Sequence, residues 1–135
     1  MSQAASAPVS PPPAFQLDWQ SVEKGVPLTA LDEFSAYSGI PLKDVLEVVI
    51  PPRTLKHRRE RREPLSLDES DRLARVARLW ELGVRVFGDP NKARRWLSKS
   101  KHRFEERSPL SMMRTDAGGR QVEEMLIQID EGMFA

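Results

Sequence analysis

Apolar residues recur at helical spacing over most of the chain, and the pattern first predicts two short helices. Leu31, Phe34 and Tyr37 fall at positions i, i+3 and i+6, and Gly39 follows as a helix stop. A second helix starts at Pro41. Its apolar positions are Val45, Leu46, Val48 and Val49. Because no segment has the alternation typical of a strand, we predict an all-α fold.

Prolines delimit a third helix, which is strongly basic. Pro51 keeps Ile50 in extended geometry, and Pro52 suits the first helical position, where its missing N–H costs nothing. The helix reads PRTLKHRRERR and ends before Pro64. A short helix, a brief turn and a second, polar helix form the outline of a helix-turn-helix DNA reader. Residues 41–49 would lie across the DNA backbone, and residues 52–62 would enter the major groove.

A long fourth helix follows. Ser66 and Glu69 have the spacing of a capping box at its start. The next residues form one apolar stripe over roughly four turns. The stripe contains Leu73, Val76, Ala77, Trp80, Val84 and Phe87. We predict that residues 67–87 connect two units of the protein and form the seam of a homodimer.

The last third of the chain predicts three further helical pieces. Ala93, Trp96 and Leu97 belong to one helix, and a basic, polar bridge over residues 98–108 follows it. Pro109 starts a short helical turn, and Thr115 caps a final helix. The apolar positions of that final helix are Val122, Met125, Leu126 and Ile129. Several methionines and Phe134 exceed what so small a unit needs for its core, which is typical of adaptable partner contacts.

Composition limits the remaining possibilities. The first residues are rich in Pro, Ala and Ser, so we predict a flexible tail over residues 1–20. Only 39% of the residues are hydrophobic, which predicts a thin core and favours oligomers. The chain has no cysteine and no apolar run of the ~20 residues that cross a bilayer. We expect a cytoplasmic protein that has no contact with membranes.

Charge is unevenly distributed although the net charge is only +1. The third helix concentrates the basic residues, and we predict that its exposed side chains bind operator DNA. Arg53, Lys56 and His57 share a face near its start, where base edges are read, whereas Leu55 points to the core. The predicted DNA-binding residues are Arg53, Thr54, Lys56, His57, Arg58, Arg59, Arg61 and Arg62. Of these, Arg59, Arg61 and Arg62 would contact phosphates. The alternative is that the basic run is only a solvated surface.

The chain resembles the Xre/MbcA/ParS antitoxins, the partners of Res-type toxins, over residues 29–132. IPPRTLKHR followed by LSLDESDRLARVARLW looks like the DNA-binding half of that family. The toxin-binding half is similar in the pattern GD…A..WL, PL and T.AG…V…L..I..G. Its residues here are Gly88, Asp89, Ala93, Trp96, Leu97, Pro109, Leu110, Thr115, Ala117, Gly118, Val122, Leu126, Ile129 and Gly132.

This resemblance implies a function and a second site. It implies an Xre-like helix-turn-helix unit followed by a small helical domain that covers the active-site region of an NAD-consuming, ADP-ribosyltransferase-like toxin. The residues expected to face the toxin are Trp96, Met125, Ile129, Gly132, Met133 and Phe134. The expected partners are therefore a cognate Res-type toxin, operator DNA and a second copy of the chain.

Catalysis is not indicated. His57 and His102 lie in basic surroundings without a carboxylate spacing that would form a metal site, and Gly118-Gly119 is a weak phosphate-loop signal. Glu123 and Glu124 are adjacent on a helix and point apart. We expect no enzyme activity, no metal and no cofactor.

The predicted organisation has four parts. Residues 1–20 form the tail, 21–66 the helix-turn-helix unit, 67–87 the connecting and dimerisation helix, and 88–135 the toxin-binding domain. The leading hypothesis is a type II antitoxin that also represses its own operon. The alternatives are a helix-turn-helix repressor without a toxin partner and a helical interaction protein that does not bind DNA.

Overall fold

A computed structural model describes residue 15 and residues 17–132 of the chain. Over this part the protein consists of helices without a strand, which confirms the predicted all-α fold. The helices are α1 (Trp19–Lys24), α2 (Thr29–Ser38), α3 (Leu42–Val49), α4 (Pro52–Arg61), α5 (Leu67–Phe87), α6 (Pro90–Ser98), a 3-10 helix (His102–Phe104), α7 (Pro109–Met112) and α8 (Asp116–Asp130).

Local sequence signals set most helix ends where they were predicted. Gly39 ends α2 with a φ of 76°, a left-handed conformation that costs glycine little. Ile50 is extended, with φ −155° and ψ 130°, and Pro52 is the first residue of α4. The capping box at α5 is present: the Ser66 hydroxyl accepts from the Glu69 N–H at 3.2 Å, and the Glu69 carboxylate accepts from the Ser66 N–H at 2.7 Å.

Helix α5 is the centre of the molecule. It packs against α1, α2, α3, α6 and α8, so one core serves both halves of the chain. Its inner face places Leu73, Leu79 and Trp80 in that core, whereas Val84 and Phe87 are only half-buried. Because so much of the helix is covered within one protomer, a dimer seam on α5 would have to use its remaining outer face.

Helices α5 and α8 run in the same direction. Near its start α8 approaches α5 at Arg75, which lies against Gly119, and one turn later Arg78 forms an ion pair with Glu123 at 3.1 Å. The close approach of α7 to α8 depends on Gly118, because a Cβ there would overlap the backbone oxygen of Met112. Residue 118 must therefore be glycine for α7 to stay at this distance.

Three arginines fasten the helices to one another through backbone carbonyls at or near helix C-termini. From α5, Arg72 donates to the oxygen of Val49 and Arg75 to that of Met113, both at 3.0 Å. From α6, Arg94 donates to the oxygen of Ser38 at 2.8 Å. The last carbonyls of a helix lack hydrogen-bond donors within the helix and carry partial negative charge. A guanidinium supplies the donor and also compensates the charge. These bonds fix the end of α3 and the end of α7 on α5, and the end of α2 on α6.

The course of the chain differs from the prediction at two places. Phe15 contacts Phe34 at a ring-centroid distance of 5.2 Å, and Asp18 caps α1. The prediction of a flexible tail over residues 1–20 is therefore wrong for its C-terminal end. Residues 1–14 and 16 lie outside the described residues. The bridge over residues 98–108 is also more ordered than its polar composition suggests, because it forms a 3-10 helix that buries Phe104 to 5% exposure.

Candidate functional site

Helix α4 presents a basic surface, and Leu55 anchors it. Leu55 is 3% exposed and packs into the core, as predicted. Arg53, Lys56 and His57 are exposed on the outer side of the helix, whereas Thr54 is half-buried. The geometry therefore leaves these three side chains available at the N-terminal end of the helix, where a recognition helix meets base edges.

The C-terminal part of α4 continues this surface. Arg59 and Arg61 are exposed, and Arg62 caps the helix in a left-handed conformation with φ 54°. The acidic residue within the helix is Glu60, which lies 3.8 Å from a ring nitrogen of His57. The exposed side of α4 thus keeps a clear excess of positive charge, which is what phosphate contacts require.

Arg58 differs from the other predicted DNA-binding residues because it has a partner inside the protein. Its guanidinium donates to both carboxylate oxygens of Glu69, at 3.1 and 3.2 Å. Only 6% of the Glu69 side chain is exposed, so this pair joins α4 to the start of α5. Arg58 is consequently a residue that positions the basic helix, and its guanidinium is not free on the outer surface.

The charges of this pair support each other. Burial works to raise the pKa of the Glu69 carboxyl, but the backbone N–H of Ser66 and the guanidinium of Arg58 outweigh it and hold that pKa below its ordinary value. The hydrogen bond to Glu69 in turn raises the pKa of Arg58. Both groups are therefore charged at neutral pH, and the ion pair holds α4 on α5.

Trp96 lies at the other end of the molecule, near the end of α5. It is half-buried and contacts Phe87 with ring centroids 5.7 Å apart. The ammonium of Lys101 lies 5.3 Å from the centre of the Trp96 ring, a cation–π geometry. Burial, and secondarily the charge of Lys99, lowers the pKa of Lys101. Part of Trp96 is core, and its remaining surface carries a partly desolvated cation.

The other residues expected to face a toxin differ in how far they are exposed to solvent. Met125 is 8% exposed and belongs to the core, so the structure does not offer it to a partner. Ile129 is half-buried, and Gly132 is exposed with a φ of 77°. Met133 and Phe134 lie outside the described residues. Ile127 is not among the predicted toxin contacts, although its side chain is 45% exposed and it is the large apolar residue that α8 shows to solvent.

Two surfaces lie at opposite ends of α5. Glu69, near its start, holds the basic helix, and Phe87, its last residue, packs on Trp96. The bond from Arg103 to Gln128, at 3.0 Å, ties the 3-10 helix to the last turns of α8 at that second end. At 1.5 Å per residue the axial distance from Glu69 to Phe87 is about 27 Å. One rigid helix therefore separates the two surfaces.

In the part of the chain that the structure describes, no group of three or more His, Cys, Asp or Glu side chains lies close enough to hold a metal ion. Among residues 15 and 17–132, no helix combines the length and the apolar character of a membrane span. The fold and these surfaces define a class of protein: a helix-turn-helix unit joined by a long helix to a second, small helical unit.

Comparison with known proteins identifies the family. Residues 20–78 match the antitoxin Xre-like helix-turn-helix domain, and residues 82–132 match the antitoxin Xre/MbcA/ParS C-terminal toxin-binding domain. An antitoxin Xre of Yersinia enterocolitica is 30% identical over 117 residues, which are 85% of this chain and 79% of the relative. The chain belongs to the Xre antitoxin family, as its sequence pattern indicated.

Two further relatives carry the same name. An antitoxin Xre of Pseudomonas putida is 55% identical over 84 residues, 62% of this chain, and the match spans about half of that relative, 53% of its length. An antitoxin Xre of Photorhabdus laumondii is 28% identical over 116 residues, 84% of this chain and 78% of the relative. The protein is therefore an antitoxin with a helix-turn-helix domain and a toxin-binding domain.

Proposed function

We propose that this antitoxin neutralises a Res-type toxin, an NAD-consuming enzyme of ADP-ribosyltransferase-like fold, and represses its own operon as a homodimer. The observation that carries the proposal is the arrangement of two separate surfaces on one helix. A basic, exposed α4 lies at the start of α5, and the C-terminal surface around Trp96 lies at its end. In this arrangement one chain binds DNA and toxin without competition for the same residues.

The DNA-binding part rests on α3 and α4. In a helix-turn-helix protein the first helix crosses the backbone and the second enters the major groove. Here α4 offers Arg53, Lys56 and His57 at its exposed N-terminal end, and Arg59, Arg61 and Arg62 towards its C-terminus. We propose the first three and Thr54 as base-side contacts and the other three as phosphate contacts, with Arg58 acting through Glu69.

A mobility-shift titration tests this part. The probe is a duplex covering the region upstream of the antitoxin's reading frame, measured over a series of salt concentrations beside an unrelated duplex of equal length. We expect a complex whose affinity falls steeply with salt and that prefers the upstream duplex. If the protein binds neither duplex even at low salt, the proposed DNA binding and repression of the operon are wrong.

The toxin-binding part rests on the surface at the end of α5 and α8. Trp96 is half-buried there, Ile129 is half-buried and Gly132 is exposed, so a partner can reach this end of the molecule. We propose Trp96, Ile129 and residues 132–134 as toxin contacts. Met125 is not among the proposed contacts, because its side chain is buried.

Truncation tests this part in cells. The toxin is encoded in the neighbouring reading frame in this proposal, and the antitoxin is expressed together with it either complete or without residues 132–135. We expect the complete chain to restore growth and the shortened chain to fail. Equal protection by both chains contradicts the proposed contacts, and a neighbouring frame that encodes no NAD-consuming toxin contradicts the choice of a Res-type partner.

Dimerisation follows from the way helix-turn-helix units meet DNA. Two units related by a two-fold axis bind two half-sites about one helical turn apart. The outer face of α5 is the surface of that helix left for a second copy. It borders a groove with Phe15, Leu17, Ala74, Leu82 and Ile127 among its apolar lining. We propose this groove as the dimer seam.

A further inference from the structure

A cleft lies beside the turn between α3 and α4. One wall is the C-terminal end of α3 together with Ile50 and Pro51, and the opposite wall comes from the C-terminal half of the chain, through Arg107, Arg114 and Thr115. The cleft has a volume of about 360 Å³ and adjoins a second opening that continues along α3. The toxin-binding half therefore reaches the turn of the DNA-binding half.

The cleft is positively charged where it meets the turn. Arg72, Arg107 and Arg114 line it there, and Glu47 is the carboxylate facing them. Arg72 donates to the oxygen of Val49 and Arg107 to that of Ser111, which holds these two guanidinium groups in place. Arg114 is exposed and makes no ion pair or side-chain hydrogen bond with any residue in the described part of the chain.

The charge changes along the cleft. Farther from the turn the lining adds Asp44 to Glu47, so the second opening has two carboxylates against Arg107 and Arg114. An anion is therefore favoured only at the end next to Pro51. Pro51 is exposed and directly precedes α4, the helix that carries the proposed base contacts.

We propose that Arg114, supported by Arg107, contacts the phosphate backbone of the same duplex that α4 reads. The proposal rests on the proposed DNA binding and adds a contact from the toxin-binding half. The first helix of a helix-turn-helix crosses the backbone, so a cation beside the C-terminal end of α3 lies next to that strand. Exposed guanidinium groups are suited to phosphates, which accept their forked N–H groups.

The test compares charge-removing variants of the full chain in mobility-shift titrations on the upstream duplex and on an unrelated duplex. For Arg114→Gln we expect binding to both duplexes to weaken at least about threefold, with the salt slope of log K smaller by about 0.9, the contribution of one phosphate contact. For Glu47→Gln we expect tighter binding to both duplexes, because Glu47 is the carboxylate that lines the cleft at the end next to Pro51 together with the three arginines.

Arg120→Gln is the matched control. Arg120 is an exposed arginine on α8 of the same half, and it pairs with Asp116 at 2.8 Å, away from the cleft. We expect the salt slope of this variant to equal that of the unchanged protein. Circular dichroism melts of all variants check that each remains folded.

The outcomes separate the two proposals. An unchanged protein that binds no duplex overturns both the DNA-binding function and this contact. An unchanged protein that binds, with an Arg114→Gln variant of equal affinity and salt slope, overturns the contact alone. If Arg114→Gln keeps its DNA affinity and loses capture of the purified toxin, the cleft belongs to the toxin interface and the proposal is wrong.

Discussion

Arg58 and Glu69 form a two-pronged ion pair across the boundary between α4 and α5, with N···O distances of 3.1 and 3.2 Å. The same Glu69 carboxylate accepts the N–H of Ser66 and completes the capping box of α5. One buried carboxylate thus starts the long helix and holds the basic helix in place. The stability of α5 and the orientation of the DNA-binding surface are thereby linked.

Arg58→Gln should destabilise the protein by about 2 kcal/mol, because it leaves the Glu69 carboxylate buried with fewer donors. Urea unfolding at pH 7 measures this change in the free energy of unfolding. Arg59→Gln is the matched control, since the Arg59 side chain is exposed and makes no ion pair or hydrogen bond within the described residues. Equal unfolding midpoints for the two variants would show that the pair contributes no stability.

The pKa of Glu69 predicts how stability depends on pH. Its pKa is lower in the folded protein than in the unfolded chain, where it is about 4.3. The stabilisation from this carboxylate is therefore complete above that pH and is lost as the pH falls through the lower, folded value. We expect unfolding free energy to fall below about pH 4, and Glu69→Gln to flatten this part of the profile. Parallel profiles for the two proteins would contradict the assignment.

Gly118→Ala should be strongly destabilising, because its Cβ would overlap the backbone oxygen of Met112, which cannot turn away as a side chain can. Overpacking of this kind costs about 1–3 kcal/mol or more. Gly119→Ala is the graded control: its Cβ would meet the flexible side chain of Arg75. Thermal melts should rank the unchanged protein first, Gly119→Ala second and Gly118→Ala last, and the reverse order of the two variants would contradict this account.

Local signals were sufficient where one short segment decides the structure. The capping box, the two prolines before α4 and the left-handed Gly39 each act within a few residues, so the helix ends and the helix-turn-helix outline could be predicted. The partner of Arg58 could not, because Glu69 is eleven residues away and the pair depends on how α4 packs on α5. The basic run alone gave no reason to separate Arg58 from its neighbours.

The C-terminal surface was predicted less well because burial depends on which face of a helix its neighbours cover. Met125 and Ile127 are both apolar residues of α8, but Met125 is 8% exposed and belongs to the core, whereas Ile127 is 45% exposed. Phe104 was overlooked because it lies among charged residues. A single aromatic residue in such a segment is a usable signal for a buried anchor.

We propose that some residues of α4 contact base edges and others contact phosphates, which predicts that protein variants at the two kinds of position will affect DNA binding differently. Lys56→Gln should reduce the preference for the upstream duplex over an unrelated one by roughly tenfold, as loss of one base-edge contact does. Arg61→Gln should weaken binding to both duplexes equally and reduce the salt slope of log K by about 0.9. Both residues are exposed on the same helix, so each variant is a control for the other. If each variant loses the same factor of affinity for the upstream and the unrelated duplex, the distinction between base-edge and phosphate contacts is wrong.

Ile127→Asp tests the proposed dimer seam. Ile127 is 45% exposed and lines the groove beside Leu82, so a carboxylate there is tolerated by the monomer and disfavours a second copy packed on the groove. Sedimentation equilibrium should show a dimer for the unchanged protein and a monomer for the variant, and circular dichroism should show that the variant is still folded. Gln121→Asp, at an exposed position of the same helix, should remain dimeric. If Ile127→Asp remains dimeric and fails to capture the toxin, the groove is part of the toxin-binding surface, and the dimer must form elsewhere.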